Sequence, residues 1–144
     1  GMISRQDVLK ALQMIQRQPQ IGEKIDDIVT NQFEMVDDES KRGTTFRCEV
    51  TPQMTNHLGT ISYGVFTTLV TEAVNRYLRS QKKGDILVEN ITIYFIKPVQ
   101  MEMLLEIKPK ILEVGRKFGK IDVEAYSNGT VVGKAMMMVQ LIER

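Results

Sequence analysis

Two stretches of the chain place apolar residues three and four positions apart, the spacing of an amphipathic helix. The first covers residues 4–17, with Ser4 suited to cap its start and with Pro19 and Gly22 after its end. The second stretch is longer and covers residues 62–81. The pattern therefore predicts a short leading helix and one long central helix.

Elsewhere apolar and polar residues alternate, as they do in strands that bury one face. Before the long helix, a turn at 23–26 is expected to lead into a strand over about 28–36. A polar hairpin turn at 37–43 then leads into a second strand, which is expected to bury Phe46 and Cys48.

After the long helix the pattern predicts four strands, each expected to pair with the next as antiparallel neighbours. Pro98, Gly115 and the Asn128-Gly129 turn signal divide them. They cover residues 86–96, 102–114, 118–127 and 130–142. Two strands, one long helix and four strands indicate an α+β fold in which the helix covers the inner face of the sheet.

The composition is that of one ordinary globular domain of 144 residues, with a formal net charge of +1. Because the charges are interleaved, neither nucleic acid nor a membrane is expected as a partner. No apolar stretch is long enough to span a bilayer and no signal peptide is visible, so we expect a cytoplasmic location. One cysteine, Cys48, and one histidine, His57, indicate neither a disulfide nor a metal site. Gly1 resembles a tag remnant, so the natural chain is expected to begin at Met2.

Residues 56–64 read Asn-His-Leu-Gly-Thr-Ile-Ser-Tyr-Gly and stand directly before the long helix. This string resembles the loop of hot-dog thioesterases of the phenylacetate-pathway type, which usually reads Asn-x-x-Gly-x-x-His-Gly-Gly. Three further segments resemble the Phe-Leu-Arg-Pro strand end, the Gly-Arg-Arg turn and the closing hairpin of that family, namely 95–98, 115–117 and 129–135. The resemblance implies a hot-dog domain over 21–144, a long central helix wrapped by a curved antiparallel sheet. The short helix predicted from the spacing of apolar residues precedes this domain and is assigned to residues 2–20. It also implies a homodimer or tetramer.

The resemblance further implies an acyl-CoA site at the start of the long helix. There the unpaired N–H groups and the partial positive charge of a helix N-terminus stabilise an oxyanion. By resemblance, the backbone N–H of Tyr63 occupies the oxyanion position and Asn56 orients the water or the thioester. By resemblance, four further residues of this region bind the substrate, namely His57, Gly59, Ser62 and Gly64. The resemblance also implies that two basic residues, Lys97 and Arg116, bind the phosphates of coenzyme A. An alternative interpretation is that Asn56 and Gly59 only shape a tight loop.

The chain departs from the family pattern at the catalytic position. The family's general base or nucleophile is a carboxylate one position before Glu72, and here that position is Thr71. A threonine holds a water or a thioester carbonyl but is no base near neutral pH. Glu72 is one candidate to replace the carboxylate. At about 100° per residue, however, it lies beyond the edge of the apolar face opposite to Thr71, where an ion pair with Arg76 and exposure to solvent are expected. His57 is the other candidate base.

These residues lead to two alternative functions. The first is an acyl-CoA thioesterase that hydrolyses a small or medium acyl or aryl thioester and uses no cofactor beyond the coenzyme A thioester itself. The second is a non-catalytic acyl-CoA-binding module that has lost its carboxylate. A dehydratase of the same fold would require an Asp/His pair that the sequence does not show.

Overall fold

The computed structural model describes residues 4–8, 24–31, 33–38 and 43–142. Of the expected leading helix, residues 5–8 are helical, and the rest of that prediction lies outside the described residues. Besides the helical residues 5–8, the described part contains two helices, a short 3-10 turn and six strands. In chain order these are α1 Ile25–Thr30, β1 Glu34–Asp38, β2 Gly43–Glu49, the 3-10 turn Pro52–Met54, α2 Tyr63–Ser80, β3 Asp85–Phe95, β4 Leu104–Val114, β5 Phe118–Ser127 and β6 Thr130–Ile142.

The long helix and the four strands after it are confirmed, with bounds within two residues of those predicted. The strand expected over 28–36 is wrong in its first half, because α1 occupies Ile25–Thr30 and β1 starts only at Glu34. Two aspartates in the first turn of α1 complement the helix dipole. The hydroxyl of Thr30 donates to the carbonyl of Asp26 at 2.8 Å. These local bonds, together with packing against α2, outweigh the strand preference of the β-branched residues.

All strand pairs are antiparallel and form one sheet in the order β1-β2-β4-β5-β6-β3. The expectation that the last four strands follow one another is confirmed for β4, β5 and β6 and wrong for β3, which pairs with β6. The physical reason is that β2 already pairs with one edge of β4, for example Phe46 with Ile107, and β5 with the other. The edge of β6 is therefore the place left for β3.

Helix α2 packs its apolar face against one face of this sheet. The buried helix residues are Phe66, Leu69, Val70, Ala73, Val74 and Leu78. Each fully buried side chain of this kind stabilises the fold by about 1.5–3 kcal/mol relative to exposure. The predicted alternation is confirmed in β2, which buries Phe46 and Cys48, and in β5, which buries Ile121 and Val123. Among the described residues, no helix has the length and apolar character needed to cross a membrane.

Candidate active site at the start of the long helix

The loop before α2 is built around the side chain of Asn56. Its Oδ1 accepts the backbone N–H of Leu58 at 2.9 Å and that of Thr60 at 3.2 Å. Its Nδ2 lies 3.0 Å from the Thr60 hydroxyl. Gly59 has φ of +78°, a conformation that favours glycine, and donates its N–H to the Asn56 carbonyl at 3.1 Å. Asn56 and Gly59 therefore shape the loop, while the second N–H of Nδ2 has no partner among the described residues.

The loop is held against the segment that follows β3. The N–H of Ile61 donates to the carbonyl of Val99 at 2.8 Å, and Thr60 forms an antiparallel bridge with Gln100. Lys97 lies in the same segment, where its N–H donates to the carbonyl of Val132 at 3.0 Å, and its side chain is exposed. The fold thus brings Lys97 to the same end of the molecule as the loop.

The first turn of α2 is open. Ser62 is the N-cap, with φ −64° and ψ 140°, but its hydroxyl makes no capping hydrogen bond. Since the first N–H groups of a helix have no partner within the helix, those of Tyr63 and Gly64 are available to a ligand. Gly64 is exposed and leaves the approach unobstructed, because a Cβ placed there would meet only the Ser62 Oγ, at 3.8 Å. This geometry suits the binding of a carbonyl oxygen or an oxyanion.

Thr71 lies two turns further along α2 and is half-buried. Its hydroxyl donates to the carbonyl of Thr67 at 2.9 Å, so its proton is used within the helix. The hydroxyl oxygen can still accept a hydrogen bond from a water. Eight residues of helix separate Thr71 from Tyr63, about 12 Å along the axis. Within one copy, these two residues therefore do not converge on one substrate atom.

Glu72 has a different environment from Thr71. Its carboxylate forms the expected ion pair with Arg76, at 3.0 Å, and its side chain is 24% exposed, less than expected for a solvated group. The Arg76 guanidinium also lies 3.3 Å from the Thr30 hydroxyl and 5.7 Å from the centre of the Phe33 ring. Glu72 thus belongs to a structural contact between α2 and α1, at some distance from the open turn.

Two expected site residues remain, His57 and Arg116. His57 is exposed on the loop. Arg116 lies at the opposite end of α2, in the turn between β4 and β5. There it lines a cleft of about 500 Å³ together with three other cations, Arg79, Lys82 and Lys83. The 18 residues of α2 separate this cleft from Tyr63 by about 27 Å.

The sequence pattern did not predict the basic cleft or the contact of the Phe95 ring with Tyr63. The signal for the cleft was present, because three cations cluster where α2 ends and two more follow Gly115.

Cys48 was expected to be buried, and this is confirmed at 4% exposure. Burial raises the pKa of its thiol to about 11, which keeps it protonated and unreactive at neutral pH.

Comparison with known proteins places these features in a family context. The thioesterase superfamily model matches residues 58–134. The YtoI protein of Bacillus subtilis (strain 168), described as uncharacterized, is 65% identical over 144 residues, all of this chain and 33% of YtoI. The chain therefore spans about a third of the length of that relative.

Two solved structures show the same fold. The E. coli PaaI protein of the phenylacetic acid degradation operon superposes with a TM-score of 0.71 at 17% identity, over 94% of this chain and 93% of PaaI. A hypothetical thioesterase from Streptococcus pneumoniae TIGR4, determined with coenzyme A, superposes with a TM-score of 0.70 at 19% identity, over 79% of this chain and 88% of that protein. The predicted hot-dog fold is confirmed.

Proposed function

The chain belongs to the thioesterase superfamily, and on this basis we propose that it binds acyl-CoA thioesters and hydrolyses small or medium acyl or aryl ones. The observation that carries the proposal is the open first turn of α2. The hydroxyl of the N-cap residue Ser62 makes no hydrogen bond to the backbone N–H groups of this turn. The coenzyme A in the Streptococcus pneumoniae structure supports the same class of ligand.

The proposed reaction begins with the thioester carbonyl oxygen accepting the N–H of Tyr63. A water attacks the carbonyl carbon, the C–S bond breaks, and coenzyme A leaves as the thiol after taking up a proton. The N–H of Tyr63 stabilises the negative charge that develops on the oxygen. The free N–H of Asn56 Nδ2 orients the thioester, and the hydroxyl oxygen of Thr71 holds the water. His57, on the same loop as Asn56, is the candidate base that accepts a proton from the attacking water.

A second copy of the chain completes this site. Tyr63 and Thr71 of one copy are about 12 Å apart along α2, so one substrate requires Tyr63 from one copy and Thr71 from another. Antiparallel pairing of two β3 edge strands would reverse one α2 relative to the other. It would also bring the basic cleft of one copy, with Arg116, towards the Tyr63 end of the other, where it would bind the coenzyme A phosphates.

A second candidate function is an acyl-CoA-binding module without catalysis. Two observations favour it: the residue at the expected carboxylate position is Thr71, whose proton is bonded within the helix, and the carboxylate of Glu72 is paired with Arg76. The threefold greater length of YtoI also fits a domain that reports ligand binding to the rest of a larger protein.

A combined hydrolysis and binding experiment separates the two functions. Acyl-CoAs of graded length are incubated with the protein, and released thiol is followed with a thiol-reactive dye, while binding is measured by calorimetry. We expect slow hydrolysis of short or aryl thioesters. Tight binding with no hydrolysis would establish the binding module. A protein that neither binds nor hydrolyses any of these acyl-CoAs would refute both functions.

The role of Thr71 is tested by Thr71→Asp, which restores a carboxylate at the expected position. We expect hydrolysis to rise by at least about tenfold, equivalent to about 1.4 kcal/mol of barrier. Thr68→Asp is the matched control, because the Thr68 hydroxyl makes the same kind of bond to the carbonyl of Gly64, at 3.0 Å. Glu72→Gln should change the rate little. Loss of hydrolysis in Glu72→Gln, with no gain in Thr71→Asp, would instead identify Glu72 as the catalytic group.

A further inference from the structure

Thr60 contacts Asn56 with its backbone and with its hydroxyl. The Thr60 carbonyl accepts the backbone N–H of Asn56 at 2.8 Å, and the Thr60 N–H donates to Asn56 Oδ1 at 3.2 Å. The Thr60 Oγ1 lies 3.0 Å from Asn56 Nδ2 and 3.2 Å from Oδ1. The hydroxyl therefore lies within hydrogen-bond distance of both polar atoms of the Asn56 amide.

The loop allows the Asn56 amide only one orientation. The backbone N–H groups of Leu58 and Thr60 both donate to Oδ1, and together they occupy its two lone pairs. An amide turned by 180° would place the N–H groups of Nδ2 against these backbone donors and leave all of them without an acceptor. Since the lone pairs of Oδ1 are taken, the Thr60 hydroxyl oxygen acts as an acceptor, and Nδ2 donates one of its two N–H groups to it.

The bond to Thr60 determines where the other N–H of Nδ2 points. Both N–H groups lie in the plane of the amide, at a fixed angle to each other. The terminal torsion of an asparagine side chain has broad minima, so an amide held at its oxygen alone still turns within a wide range. Because Thr60 holds one N–H, the second keeps one direction before any ligand arrives.

The backbone around Thr60 is itself held by the segment after β3. Thr60 forms an antiparallel bridge with Gln100, and the N–H of Ile61 donates to the carbonyl of Val99 at 2.8 Å. The Thr60 hydroxyl is therefore a fixed acceptor. A donor that such an acceptor orders in advance loses little conformational freedom when it binds a ligand.

We propose that Thr60 is a positioning residue, whose hydroxyl directs the second N–H of Asn56 Nδ2 towards the carbonyl oxygen of the bound thioester. This inference rests on the proposed function, in which that N–H orients the thioester. A carbonyl oxygen has two lone pairs, so it accepts this N–H together with that of Tyr63. Thr60 touches no reacting atom and acts only through Asn56. Loss of its hydroxyl therefore weakens the hold on the carbonyl and leaves the contacts to the rest of the ligand unchanged.

The test compares two unreactive analogues of butyryl-CoA by calorimetry. In the first, a methylene group replaces the thioester sulfur and the carbonyl remains. In the second, S-butyl coenzyme A, a methylene group replaces the carbonyl. For the unaltered protein, we expect the carbonyl analogue to bind about tenfold more tightly. In Thr60→Val, we expect this ratio of dissociation constants to fall by about threefold or more, and in Thr60→Ser, which keeps the hydroxyl, to remain.

Thr55→Val is the matched control. The Thr55 hydroxyl donates to the carbonyl of Pro52 at 2.7 Å, so the same substitution removes a nearby hydroxyl that is bonded elsewhere. We expect it to keep the full ratio. Thermal unfolding checks that each variant folds, and Thr60→Ala, which also lacks the hydroxyl, replaces Thr60→Val if that variant is unfolded.

The outcomes separate the role of Thr60 from the proposed function. A ratio of one in the unaltered protein would overturn the positioning role and leave acyl-CoA binding intact. The same holds for an unchanged ratio in Thr60→Val, even with weaker binding of both analogues, and for an equal fall in Thr60→Ser. No binding of either analogue to the unaltered protein would overturn the proposed function and this inference with it.

Discussion

At the scale of single residues, Asn56 combines a structural contact with a free donor. Its amide oxygen satisfies the N–H groups of Leu58 and Thr60, while one hydrogen of its Nδ2 remains available. The two atoms can be separated experimentally, because aspartate keeps the acceptor oxygen Oδ1 and replaces the donor Nδ2 with a second oxygen.

We expect Asn56→Ala to lower both stability and turnover. Two N–H groups in a half-buried loop lose their acceptor, which costs about 1–3 kcal/mol in the free energy of unfolding. Asn56→Asp should retain most of the stability and lose about tenfold or more in hydrolysis, since the donor that orients the thioester is gone. Urea unfolding and the thiol-release assay measure the two effects. Full activity in Asn56→Asp would show that Asn56 only shapes the loop.

The sequence predicted the side of α2 on which Thr71 and Glu72 lie, because one angle per residue determines the helical phase. The ion pair of Glu72 with Arg76 followed from the same rule and is confirmed. The bonds from Arg76 to Thr30 and its contact with Phe33 join residues about 45 positions apart, so no local rule predicts them. The ring contact between Tyr63 and Phe95 was missed for the same reason.

At the scale of elements, long and strongly patterned segments were predictable and short ones were not. Helix α2 and strands β3 to β6 have at least ten residues each, which makes their periodicity distinct. Helix α1 has six residues, and its last three, Ile28, Val29 and Thr30, are all β-branched, which the local pattern assigns to a strand. Its helical form depends on contact with α2, which the local pattern does not contain.

The close approach of α2 to β6 leads to a prediction about Gly133. A Cβ at this position would come within 2.7 Å of the Phe66 ring and 3.3 Å of the Tyr94 carbonyl. We expect Gly133→Ala to lower the free energy of unfolding by about 1–3 kcal/mol, because a packed core has no room for a methyl group. Urea unfolding measures the change.

Two controls define the cause of that loss. Gly115→Ala places a methyl group in an open turn, 3.8 Å from the Phe118 carbonyl, and should change stability by less than about 0.5 kcal/mol. Phe66→Leu combined with Gly133→Ala should be less destabilised than the sum of the two single variants, because the clash needs both residues. Additive effects would show that Gly133 is required for another reason.

At the scale of the whole molecule, the position of β3 decides how copies associate. The tendency of consecutive strands to pair predicted β3 beside β4. In the structure β3 pairs with β6 instead, because β2 already pairs with that edge of β4. As a result, β3 is an edge strand of 11 residues in the described part of the chain. The other edge, β1, has only five residues and ends in two aspartates, features that discourage pairing.

We expect the protein to be at least a homodimer at micromolar concentration, formed through β3. This edge exposes large apolar side chains, among them Leu87 and Val88, and an uncovered edge of this length favours pairing with another strand. Val88→Lys should shift the protein towards monomer in sedimentation velocity, while Leu112→Lys, at a position of similar exposure on β4, should not. Because Tyr63 and Thr71 must come from different copies, hydrolysis should fall in parallel with the dimer fraction. A fully active monomer would contradict the shared site, since one copy would then bring together groups about 12 Å apart along one helix.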